Sequence, residues 1–253
     1  MTETAWMRLT APELREAALA DALVILPVAS IEQHGPHLAT GTDTFLGGAV
    51  AEATAQKLAA AGERVVVLPV MWHGLAEHHM AFGGTITLDQ PTFLAVLKGI
   101  ARSVARHGFK RLMLLNAHGG NTDAIAVAVT EIGVETGLKV AGGTYWYIAP
   151  EVIGPILEDQ EGLNHACEAE TSMMLHVTTG TMREAELPNA HGPKTSRPAI
   201  QPKGLAMQRS FRAITPSGVI GDARRASAEK GEKLLAAIST RLADILGDRA
   251  LWS

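Results

Sequence analysis

The sequence predicts a three-layer αβα sandwich built on a mostly parallel sheet. Short apolar, β-branched segments at Leu23–Val28, Arg64–Val70, Arg111–Asn116 and Leu138–Tyr145 read as four strands. Amphipathic helical stretches separate them, the pattern of a parallel sheet covered on both faces. Almost every candidate polar group falls in the loops after Val28, Val70, Asn116 and Trp146. In open α/β sheets, ligands bind beyond the carboxyl ends of the strands.

The elements follow in order. Thr10 with Glu13 is a capping-box pattern, and Pro12 suits a first turn, so a helix is expected to about Ala20. Leu23–Val28 is the first strand and runs into the polar loop Ala29–Asp43. Leu46, Ala49, Val50, Ala53 and Leu58 keep helical spacing to about Ala61. After the second strand comes a loop with Trp72, His73, His78 and His79, then a glycine-rich run from Gly83. Pro91 opens a helix striped by Phe93, Val96, Leu97, Ile100 and Val104. The third strand ends on Asn116-Ala117-His118-Gly119-Gly120-Asn121, and Asn121 is placed to cap a helix to about Thr136. A helix is expected from Ala166 to about Val177. The Pro- and Gly-rich stretch 180–222 reads as irregular structure rather than a linker, because a last helix, Ala226–Leu246, follows it with Leu234, Leu235, Ile238, Leu242 and Ile245 on one stripe. No repeat or boundary divides the chain, so residues 1–253 are expected to form a single domain.

Composition narrows the class. A formal net charge of −4 gives no basic footprint for nucleic acid. No apolar run is long enough to cross a bilayer. The N-terminus shows no charged segment leading into an apolar run, and Cys167 is the one cysteine, so a cytoplasmic protein without an intrachain disulfide is expected.

The loop after the first strand carries the densest chemistry. In extended backbone, residues two apart share a face, so Glu32 and His34 can point the same way. Asp43 follows at the start of a helix. Carboxylates mixed with imidazoles suit a borderline divalent metal such as zinc, manganese or iron(II). His118 joins them from another strand end, and its small neighbours permit close approach to an ion. Asn116 reads as a hydrogen-bonding group that fixes this loop. On a helix, His165 and Glu168 would share a face while Glu168 and Glu170 diverge, so Glu168 is the carboxylate expected to follow His165 to the site and Glu170 to support it from behind. His37 reads as loop packing. Cys167 reads as a buried core residue, because a helix would point it away from His165.

Three ordered motifs carry a resemblance. Glu32-Gln33-His34-Gly35-Pro36-His37 with Gly41-Thr42-Asp43, then Asn116–Asn121, then His165-Ala166-Cys167-Glu168-Ala169-Glu170-Thr171-Ser172, resemble the motifs of the creatininase (creatinine amidohydrolase) family, in the subgroup with an HGGN loop. The resemblance implies a creatininase-like fold and a dinuclear site. Glu32, Asp43 and His118 would hold one ion, and His34, Asp43 and Glu168 the other, with Asp43 bridging. A metal-bound hydroxide would attack the carbonyl carbon of a small amide, cyclic amide or formamide, and His165 would protonate the leaving nitrogen. Trp146 resembles an aromatic residue that lines the family pocket, and His78 and His79 adjoin a run with Gly84 that resembles the family's substrate-facing glycine-rich loop. A small-molecule substrate and a homo-oligomer, often a hexamer, are also implied.

Departures bear on the substrate. The family's glutamate two residues past the loop histidine is here Gly120, which is why Glu168 is assigned the second-metal role. The segment Glu158–Asn164 has no tryptophan, and Asn164 stands where creatininase has a glutamate before its catalytic histidine. Rival readings are a metal-dependent hydrolase of a cyclic ketone or lactone, a metal-binding relative without turnover, and a thiol enzyme using Cys167.

Overall fold

The computed structural model describes residues 3–196, 200–202 and 205–253. Four strands, β1 (Leu23–Val28), β2 (Val65–Val67), β3 (Arg111–Asn116) and β4 (Lys139–Thr144), form one sheet in the order β2-β1-β3-β4. Every pairing is parallel, with Leu23 opposite both Val65 and Arg111, and Arg111 opposite Lys139. The second strand is shorter than the apolar run that predicted it. Pro69 lacks an N–H for the ladder, and contact with β1 resumes only at an isolated Val28–Met71 bridge.

Alternation along the strands sends side chains to two cores. Leu23, Ile25, Met113 and Leu115 pack with α2 (Thr42–Ala60), two short helices α5 (Tyr145–Ile148) and α6 (Pro150–Ile153), α7 (Glu168–Val177) and the last long helix (Ala228–Gly247). Val24, Leu26, Leu112 and Leu114 pack with α1 (Ala11–Leu19), α3 (Gln90–Arg106) and α4 (Thr122–Thr136). The result is the expected αβα sandwich. A one-turn helix, α8 (Phe211–Ile214), lies in the irregular stretch, and the last long helix is α9. In α9, Leu234, Ile238 and Leu242 of the expected stripe are fully buried, and Leu246 joins them.

The helix ends have local causes. The Thr10 N–H and hydroxyl both donate to the Glu13 carboxylate, at 2.7 and 2.6 Å, which closes the first turn of α1. Asp89 accepts from the Thr92 N–H at 2.8 Å ahead of Pro91 in α3. Asn121 stands at the N-cap of α4 as expected, but its side chain makes no cap hydrogen bond there. Its carboxamide accepts from Leu75 N–H (2.9 Å) and donates to the carbonyl of Ala29 and to Asn116 Oδ1 (both 3.1 Å), tying together three strand-end loops. The helix expected from Ala166 begins two residues later, because Ala166 sits at φ +52°, in the left-handed region.

The two ends of the sheet differ in kind. At the amino ends, the buried Arg111 guanidinium donates to the Asp21 carbonyl and lies 3.5 Å from the carboxylates of Asp21 and Glu63, which Arg249 also contacts at 2.9 Å. At the carboxyl ends lie the loops after β1 and β3 and the residues leading into α7.

Candidate metal centre

Glu32, His34, Asp43, His118 and Glu170 converge below the carboxyl ends of β1 and β3, and all five are buried. Glu32 and His34 come from the loop after β1, Asp43 from the first turn of α2, His118 from the loop after β3 and Glu170 from the first turn of α7. His34 Nε2 is 3.0 Å from Asp43 Oδ1 and 3.9 Å from Glu170 Oε2. His118 Nδ1 is 2.9 Å from Glu32 Oε2 and 3.2 Å from Asp43 Oδ2.

Tautomers decide what these short contacts mean. The far nitrogen of each ring faces a backbone carbonyl: His34 Nδ1 lies 3.2 Å from the Glu32 oxygen and His118 Nε2 lies 3.2 Å from the Leu75 oxygen. A carbonyl only accepts, so those nitrogens carry the protons and the lone pairs of His34 Nε2 and His118 Nδ1 face carboxylates. Glu32 Oε2, His34 Nε2 and Asp43 Oδ2 have no aligned hydrogen-bond partner despite complete burial. Lone pairs and anionic oxygens converging on a common space fit a divalent cation, and carbonyl-oriented histidines are the usual support of metal ligands. Among the described residues three overlapping sets meet the spacing of a binding site: Glu32–Asp43–His118 and His34–Asp43–Glu170, which share Asp43, and Glu32–His34–His165.

Without an ion, protons answer this negative charge. Burial opposes the charged ring of His34, but the carboxylates of Asp43, Glu170 and Glu32 outweigh it and hold its pKa at about 10. His118 is likewise raised well above the usual imidazole range, with Glu32 and Asp43 overcoming burial. Burial lifts Glu170 to about 8, only partly offset by His34.

The structure corrects the expectation for Glu168. Its buried carboxylate accepts from the Glu158 N–H (3.0 and 3.1 Å) and the Asp159 N–H (3.0 Å), and from Lys230 Nζ at 2.5 Å. It therefore faces the loop before His165, away from the cluster. The expectation required His165 to lie in the helix. With Ala166 left-handed, His165 precedes α7, and Glu170 turns back toward the helix start, accepting from Ala166 N–H at 2.5 Å. Glu170 thus lies among the ligand groups rather than behind them. Nor could residue 120 have supplied a side chain. A Cβ on Gly120 would lie 2.3 Å from the Leu75 oxygen and 2.4 Å from His118 Nε2.

The other expected residues divide. Asn116 Nδ2 donates to the His118 carbonyl (2.6 Å) and its Oδ1 accepts from the His118 N–H (3.2 Å). His165 Nδ1 reaches within 3.5 Å of Glu32 Oε1. Burial, then the nearby His34 and His79, pushes its pKa well below the imidazole range. His78 and Trp146 line the cavity above the cluster, about 160 Å³ in volume, and His78 stacks on His118. Gly84 is absent from that cavity and is exposed at a turn with φ +71°, beside Thr40. His37 is buried, with Nε2 hydrogen-bonded to the Thr171 hydroxyl at 2.8 Å. Cys167 is fully buried, which pushes its thiol up to about 12, so the reactive thiolate is suppressed.

Three further residues had no clear signal in sequence. His79, in the turn Glu77–Phe82, is buried with Nε2 at 3.4 Å from Glu32 Oε1. Gln33 lies between His79 and His165, at 2.9 Å from a ring nitrogen of each. Phe211 packs against both rings, with centroids 4.2 and 4.7 Å away, and completes an aromatic wall with Trp146 and Tyr147. These residues meet only through long-range contacts, which local periodicity does not report. His79 adjoins His78, and that pair was the one hint.

Comparison with known proteins gives a consistent result. A family model described as "Creatininase: Creatinine amidohydrolase" matches residues 7–246. The chain is 30% identical to a mycofactocin precursor peptide peptidase of Mycolicibacterium smegmatis, covering 88% of this chain and 83% of the relative. It is also 30% identical to the creatinine amidohydrolase of Pseudomonas putida, covering 92% of each. A 3-dehydro-scyllo-inosose hydrolase of Thermotoga maritima is 28% identical over 95% of this chain and 81% of its own. Among solved structures, creatinine amidohydrolase superposes with a TM-score of 0.82 at 28% identity over 98% of both chains. A structure described as creatininase Mn gives 0.80 at 27% identity over 99% of both.

Proposed function

Because this chain belongs to the creatininase family, we propose that it is a dinuclear, metal-dependent amidohydrolase that cleaves a C–N bond of a small amide, cyclic amide or formamide. The observation that carries this reading is the convergence of buried, unpartnered ligand atoms on two sets sharing Asp43. Glu32, Asp43 and His118 would hold one divalent ion, and His34, Asp43 and Glu170 the other. Zinc, manganese or iron all suit this mixture of imidazole and carboxylate. When bound there, such ions supply Lewis acidity that lowers the pKa of water and polarises a carbonyl.

The chain's own groups do the rest. His165 is neutral and opens onto the cavity, so it can take a proton from water and return it to the leaving nitrogen. Trp146, Tyr147 and Phe211 with Leu163 and Ile220 wall a space of about 160 Å³, which suits a compact substrate or one end of a longer one. Burial of the cluster excludes bulk water and strengthens each electrostatic contact. The proposal extends to a homo-oligomer, with a hexamer as the size the resemblance implies, acting as one domain in the cytoplasm. No helix among the described residues is long and apolar enough to cross a membrane.

The test is elemental analysis of the purified protein before and after chelation, beside turnover on cyclic amides and formamides. About two ions per chain, with chelation abolishing turnover, is the expected result. His165→Ala should keep both ions and lose about two to four orders of magnitude in kcat. No metal, and none taken up on supplementation, sinks the reading. A second reading, hydrolysis of a cyclic ketone or lactone, has the support of the inosose hydrolase relative. It predicts turnover on such compounds where the amide panel gives none.

A further inference from the structure

The Gln33 carboxamide is buried and unusually constrained. Its Oε1 accepts from the Gly35 N–H at 2.9 Å. Gly218, at φ +78°, presses on it so closely that a Cβ there would lie 2.1 Å from Oε1. The Gly35 N–H can only donate, which fixes the end of the amide it meets as oxygen and leaves Nε2 facing three groups: His79 Nδ1 and His165 Nε2, each at 2.9 Å, and the Gly218 carbonyl at 3.2 Å.

Nε2 has two hydrogens, so one of the three is not an acceptor. The backbone decides which. His165 Nε2 also lies 2.8 Å from the Gln33 carbonyl oxygen, which can only accept. His165 Nε2 therefore carries a proton and donates it there. The amide hydrogens go to Gly218 and to His79 Nδ1. His79 Nδ1 then accepts, and a neutral His79 ring carries its proton on Nε2, 3.4 Å from Glu32 Oε1. His165 in turn presents the Nδ1 lone pair, 3.5 Å from the same oxygen.

We propose that Gln33 is a positioning residue that sets both tautomers at once. Its backbone carbonyl leaves His165 Nδ1 as the nitrogen that moves the proton, and its carboxamide makes His79 a donor to Glu32. The inference rests on the reading of His165 as the acid/base group, but the tautomers can be read without turnover.

The experiment is long-range ¹H–¹⁵N NMR of the histidine rings in the zinc-loaded protein, for wild type, Gln33→Glu and Gln33→Met. In the wild type, His165 and His79 should both be protonated on Nε2 alone. Gln33→Glu keeps the shape but replaces the donor with an acceptor, and should move the His79 proton to Nδ1. Gln33→Met should leave His79 a mixture. Both should lower kcat about 10- to 100-fold, the scale of lost orienting partners, with KM within about twofold and zinc retained. A role in packing alone predicts that the isosteric Glu variant keeps wild-type tautomers and kcat while Met does not, and that result overturns the proposal. So does a wild-type spectrum with the proton on Nδ1 of either ring, which needs no variant to fold. If no amide is turned over, the function reading fails while the spectra still decide the tautomers.

Discussion

Replacing Glu170 with Gln exchanges a carboxyl group 3.9 Å from His34 Nε2 for an amide that cannot become an anionic ligand. The same change at Glu168 removes an anion that faces Lys230 and two backbone N–H groups. The two variants separate a ligand from a structural anion. Glu170→Gln should bind about one ion fewer per chain in elemental analysis, with the ion at Glu32 and His118 kept. Glu168→Gln should hold its full metal content. Loss of metal in Glu168→Gln with none in Glu170→Gln would return the ligand role to Glu168. The sequence placed both carboxylates near the centre but pointed to Glu168 as the one facing it. Their order depends on one backbone angle, Ala166 at φ +52°, and alanine carries no local mark of the left-handed region. Gly120 was legible as a missing ligand, and the crowding that explains it was not.

Among the elements, the segment before His165 depends on α9. Lys230 bridges Glu168 on α7, Glu158 at 2.6 Å, and the Arg225 carbonyl, also at 2.6 Å. Lys230→Met would leave the buried Glu168 carboxylate with only backbone donors. Stability in urea should fall by about 2–3 kcal/mol, less than the 3–5 of a wholly enclosed pair, since two N–H groups remain. Hydrogen exchange should quicken over residues 158–165 in particular. A uniform quickening across the protein would show that the bridge supports the fold generally. Strands and long helices were legible because burial on two faces writes apolar runs and stripes into them. Asn121 was placed at the right helix start, but its side-chain partners could not be read because all three come from elsewhere in the chain. Gly84 was misplaced because a glycine-rich run signals a turn without giving its direction.

At the scale of the whole molecule, the centre couples metal, protons and stability. In the metal-free protein His34 titrates at about 10 and Glu170 at about 8, each above its ordinary value. A raised pKa means that the folded state holds the proton more tightly. The stability it contributes is present below the unfolded pKa and is lost as pH rises through the folded one. The window runs from about 4.5 to 8 for Glu170 and from about 6.5 to 10 for His34. The Tm of chelated protein should therefore fall between pH 6.5 and 9, while metal-loaded protein, whose ions replace those protons, should hold steady. Calorimetry at several pH values checks this, and parallel decline in both forms would place the sensitivity elsewhere. The Arg111, Asp21, Glu63 and Arg249 network at the opposite end of the strands has a different bearing. It divides labour along the strand axis, with cohesion anchored at one pole and reactivity at the other. Natural variation and deliberate engineering can then retune robustness from the first pole while leaving the chemistry of the second untouched.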